Sequence, residues 1–121
     1  MSAPEQLTPQ GIVVQLAALA RELDATVTSL RAADLDATEK RHAADLAESM
    51  AFVKSEGSMD LRKHLARIEA APLEKEALVA EAVVRYLKNR VQAIQTRIST
   101  GQSMGSALRA ELAALPYDQS A

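Results

Sequence analysis

Residues 73–98 read LEKEALVAEAVVRYLKNRVQAIQTRI, and the spacing of their apolar side chains decides the fold. Leu73, Ala77, Ala80, Val84, Leu87, Val91, Ile94 and Ile98 follow one another in alternating steps of four and three. That is the period of an amphipathic helix whose apolar seam lies against another helix. Val84, Val91 and Ile98 set a β-branched side chain at every seventh residue. Leu73, Val84, Leu87, Val91, Ile94 and Ile98 are therefore the candidate oligomer or partner seam.

The composition agrees with helices. The chain has 121 residues, with only four glycines and four prolines. It is 48% hydrophobic but only 2% aromatic, and much of the apolar fraction is alanine. Alanine has the best helix propensity but buries little area. A compact monomeric core would be thin, so stability must come from long helix–helix seams. A net charge of −2 excludes a polycation seeking nucleic acid with its whole surface. Cysteine is absent, which excludes disulfides and thiolate metal sites and fits a cytoplasmic setting. No basic-then-apolar leader opens the chain and no run of about 18 apolar residues occurs, so neither a signal peptide nor membrane contact is expected.

Punctuation sets the expected elements. Thr8-Pro9 reads as an N-cap followed by proline at the first helical position. Glu56-Gly57-Ser58 is the next break: glycine suits the left-handed residue after a helix and serine caps the one that follows. Helix 1 is expected at about 9–55 and helix 2 at about 59–99, with a kink or break near Pro72. A short third helix is expected at about 103–115, after a turn at Thr100-Gly101. The expected fold is all-α, a single helical domain: a long antiparallel, coiled-coil-like hairpin with a third C-terminal helix. The alternative is a four-helix bundle. Helix 1 has two apolar phases. Val13, Leu16, Ala20, Leu23, Val27 and Leu30 keep the alternation, which then reaches Asp34, Arg41 and Glu48. A second stripe starts on Leu35, Leu46, Met50 and Val53.

Catalytic signatures are missing. Glu39 and His42 have the Glu-x-x-His spacing of helical di-metal proteins, but only one such motif occurs, in the most polar part of helix 1. An exposed helical pair is the plainer reading. Gly101 to Gly105 could open a helix N-terminus to phosphate, yet no strand and no Gly-Lys-Ser/Thr accompany it. Met50, Phe52, Val53, Met59 and Leu61 gather at the Gly57 turn, where such residues close the end of a hairpin core or form an adaptable binding tip. No cofactor, no metal and no enzymatic activity are expected.

One charge asymmetry stands out. No acid lies between Glu81 and Glu111, while Arg85, Lys88, Arg90, Arg97 and Arg109 do. Arg85, Lys88, Arg90 and Arg97 are the candidate nucleic-acid contacts. Arg90 and Arg97 also flank the seam, where they can pair with acids of helix 1 such as Asp24, Asp34 or Asp36.

The segment 52–62 with its Glu56-Gly57 turn, the long helix after it, and the closing stretch 95–111 (QTRISTGQSMGSALRAE) resemble small all-helical proteins encoded by bacteriophages of actinobacteria. The resemblance covers about residues 45–112. It implies a phage origin, a place in phage DNA metabolism or host takeover, and the cytoplasm of the bacterial host as location. It carries over no catalytic residue. The expected function is a non-enzymatic interaction protein that self-associates and binds a phage or host protein. The alternative is a DNA-binding accessory factor in phage replication or recombination, acting through 85–109.

Overall fold

The computed structural model describes residues 8–116. Two long helices, α1 (Pro9–Lys54) and α2 (Met59–Ala114), pack against each other as a hairpin. No strand occurs among the described residues. By contacts the chain divides into two compact units. The turn unit is Val27–Asn89, and the end unit joins Met1–Thr26 to Arg90–Ala121.

The helix ends form where the sequence punctuates them. The Gly11 amide donates to Thr8 Oγ1 at 2.9 Å, satisfying an orphan donor of the first turn. At the hairpin turn Gly57 holds φ at +114°, and an added Cβ there would stand 2.9 Å from Leu61 Cδ2. The Leu61 amide donates to Ser58 Oγ at 3.2 Å, which starts α2. Arg62 reaches back across the turn: its Nη2 donates to the Phe52 carbonyl at 3.0 Å, and its guanidinium lies 4.3 Å from the Phe52 ring centroid. One side chain thus satisfies a C-terminal carbonyl of α1 and stacks on its last aromatic ring.

The third helix is corrected: α2 runs unbroken through the expected Thr100-Gly101 turn to Ala114. Gly101 and Gly105 extend the seam after Ile94 and Ile98 in the same steps of three and four. A Cβ on Gly101 would stand 2.7 Å from Leu16 Cδ2, and one on Gly105 3.6 Å from Ile12 Cγ2. Gly101 thus leaves room for Leu16 of α1 where a Cβ would collide, while a Cβ at Gly105 would make an ordinary van der Waals contact. A break at Pro72 is corrected likewise. Pro72 sits on the exposed side of α2, so water can reach the Ile68 carbonyl that loses its amide donor.

The expected phase change in α1 does not occur either. Ile12, Leu16, Leu19, Leu23, Thr26, Leu30, Ala33, Ala37, Ala44 and Ala51 are buried or half-buried and form one continuous seam. Past Leu30 the seam carries alanine. Leu35, Leu46, Met50 and Val53, expected to restart the stripe, are exposed. Buried Thr26 closes on its own helix by donating Oγ1 to the Glu22 carbonyl at 2.8 Å.

Candidate functional site

The partner-seam candidates lie between the two helices of the chain itself. Val84 and Ile94 are buried, and Leu73, Leu87, Val91 and Ile98 are half-buried. With these seam positions lettered a and d of a heptad, the flanking e and g positions lie on opposite sides of a helix pair. In an antiparallel pair e faces e and g faces g.

In the turn unit the e side is a polar groove. Arg41 of α1 donates from Nε and Nη2 to the two Glu81 carboxylate oxygens at 3.0 and 2.8 Å, a bidentate fork. Its Nη1 reaches Glu74 at 2.6 Å and Asp45 at 3.7 Å. Arg67 approaches Glu48 at 3.9 Å on the same side. The hydrogen bonds it donates to Glu81 and then Glu74 hold the Arg41 guanidinium in its charged form more firmly than in water. The same fork pushes the Glu81 carboxyl below its ordinary value, against the opposing effect of desolvation. Arg41 and Arg67 here already have carboxylates beside them. The groove contains neither a nucleophile beside a base nor an unsatisfied buried polar atom, and its chemistry is that of a register clamp.

The other sequence candidates fall outside that groove. Glu39 and His42 are exposed, and no group of three or more His, Cys, Asp or Glu suited to a metal occurs among the described residues. Gly101 to Gly105 lies inside the last third of α2, so no helix N-terminus opens there. At the turn Phe52 is half-buried, while Met50, Val53, Met59 and Leu61 are exposed rather than closing a core.

The four basic candidates are all exposed. Arg85 and Lys88 belong to the turn unit, and Arg90 and Arg97 to the end unit. Arg90 pairs with Glu22, not with the aspartates the spacing suggested. The Arg85 charge helps to lower the Glu81 carboxyl, after the larger effect of Arg41. Lys88 and Arg97 have no ion pair among the described residues.

Two features escaped the sequence reading. Arg41 looked like a fault in an apolar stripe, because its acids lie 33 and 40 residues away and are found only once the hairpin register is known. The second is the apolar exterior of the turn unit. Leu35, Val53, Ile68, Val79 and Tyr86 are each more than half exposed. The signal for it was present in the steps from Leu61 to Leu65 to Ile68, which run on the face of α2 turned away from the seam.

No protein-family model, no curated protein and no solved structure matches this chain.

Proposed function

We propose that this chain is a non-enzymatic helical interaction protein that associates with itself and docks on a further protein. The observation that carries the reading is the apolar distribution of the turn unit: seven buried alanines sit in its seam beside Val84, Leu30, Leu73 and Leu87, while Leu35, Val53, Ile68 and Val79 stand exposed. Large apolar side chains exposed in this number favour an interaction site. The resemblance over residues 45–112 supports a phage origin and a partner from the phage or its host. No helix among the described residues is long and apolar enough to cross a membrane.

Light scattering at micromolar concentration tests the first half of the reading. The expected mass is at least twice 13.0 kDa, and a clean monomer overturns self-association. A pull-down from bacterial lysate, with and without nuclease, tests the second half.

DNA contact is the second reading, and Lys88 and Arg97, exposed and without an ion pair among the described residues, are what favour it. With two or three phosphates engaged per protomer, the logarithmic salt slope is about −2 to −3. Gel-shift binding that survives moderate salt, or that persists with Arg85, Lys88, Arg90 and Arg97 all changed to glutamine, overturns this placement.

A further inference from the structure

Glu69, Glu76, Val83, Arg90 and Arg97 occupy successive g positions of α2, seven residues apart, and all five are exposed. The row is antisymmetric about its centre. Acids stand seven and fourteen residues before Val83, and arginines stand seven and fourteen residues after it. We propose that α2 pairs antiparallel with α2 of a second copy, about a two-fold axis at Val83. The proposal rests on the self-association argued above and assigns the face that carries it.

A two-fold axis makes such a contact isologous: each residue faces the one equally far beyond Val83 in the other copy. Glu76 then meets Arg90 of the second copy, and Glu69 meets its Arg97. Both contacts recur by symmetry, so the dimer has four ion pairs around a Val83–Val83 contact. The neighbouring c row lies about 40° round the helix, at about 100° per residue. It carries Val79 and Tyr86, 57% and 61% exposed. Antiparallel pairing about Val83 brings Val79 of each copy to within one residue of level with Tyr86 of the other. The axis therefore has apolar contacts at its centre and ion pairs to either side, the arrangement of a protein interface with a polar rim.

The charge order selects both the occupant and its direction. A parallel pair in register sets glutamate beside glutamate and arginine beside arginine, which is unfavourable. A partner of one charge sign complements half of the row and repels the other half. A second copy, reversed, complements all of it. The a and d residues stay covered by α1, so the pairing leaves the hairpin seam intact. Arg90 already bonds Glu22 of its own chain, yet its side chain remains 44% exposed. A guanidinium has five N–H donors and can serve two carboxylates, as Arg41 does.

Two measurements test the axis, beside the wild-type mass. The chain contains no cysteine, so Val83→Cys is a clean probe. Under mild oxidation it is expected to give a disulfide-linked dimer, while Leu78→Cys, on the e side of the helix, stays unlinked. Charge reversal is read by light scattering across a dilution series. Glu69→Arg with Glu76→Arg is expected to raise the dimer Kd on the order of 10- to 100-fold. Adding Arg90→Glu and Arg97→Glu reverses the whole row and is expected to restore the dimer. Wild-type association without a Val83→Cys cross-link, or without rescue by the fourfold reversal, overturns the axis and leaves self-association through another face. A wild-type monomer overturns both. Should a charge variant lose helicity, a mixture of Glu76→Cys and Arg90→Cys chains decides the direction: the mixed disulfide is expected, and linkage of Glu76→Cys only to itself overturns the antiparallel axis.

Discussion

The two units of this hairpin use one heptad period to opposite ends. The end unit fills its seam with Ile12, Leu16, Leu19, Leu23, Val91, Ile94 and Ile98. The turn unit fills most of its seam with Ala37, Ala44, Ala51, Ala66, Ala70, Ala77 and Ala80, all buried, adds Val84 and half-buried Leu30, Leu73 and Leu87, and exposes other large aliphatics such as Leu35, Val53, Ile68 and Val79. A buried methyl or methylene contributes about 0.8 kcal/mol, and a fully buried leucine or isoleucine about 1.5–3 kcal/mol. The end unit is therefore held mainly by apolar burial. The turn unit has a shallower seam and adds the Arg41 clamp and the Arg62 turn lock. A helix pair joined by alanine can remain specific in register while leaving its apolar capacity for other contacts.

The largest expected effect breaks the end unit. Ile94 is 1% exposed, and Ile94→Ala should cost about 2–5 kcal/mol, measured by denaturant unfolding at fixed protein concentration. A loss below about 1 kcal/mol would mean that apolar burial is not what holds this unit. The turn unit should fail in the opposite direction, by overfilling. Ala77 is 0% exposed, and Ala77→Leu should cost about 1–3 kcal/mol by forcing the helices apart. A neutral result there would show slack in the alanine seam.

A subtler effect isolates the clamp. Because the folded state lowers the Glu81 carboxyl, its contribution is complete above the ordinary glutamate value of 4.5 and is lost as pH falls through the lower folded value. Glu81→Gln should therefore lower the melting temperature at neutral pH and flatten its decline in acid. An unchanged acid decline would place the pH sensitivity elsewhere. The smallest effect is expected at His42. Glu39 and His42 are both exposed and make no ion pair with each other, and a helical pair of this spacing is worth at most about 0.2–0.5 kcal/mol, so His42→Ala should barely move the unfolding midpoint. Metal-dependent stabilisation abolished by that substitution would revive a metal reading.

The sequence by itself determined the helical class, the start of α1 at Pro9, the turn at Gly57 and the seam from Leu73 to Ile98. Each rests on a local rule: a cap, a positive φ, or a period legible within a few turns of one helix. Tertiary structure decided the rest. Gly101 and Pro72 look like stops locally, but Leu16 fills the space at Gly101 and solvent hydrates the turn at Pro72. Ala37, Ala44 and Ala51 were invisible as a seam because alanine is equally at home on either face of a helix. Only a partner helix at close approach distinguishes the buried face. Arg41 and its glutamates, and the exposure of Val79, Val83 and Tyr86, depend on how the two helices align. That register is set by the turn and by the fit of small side chains across the seam, which no one-helix pattern contains.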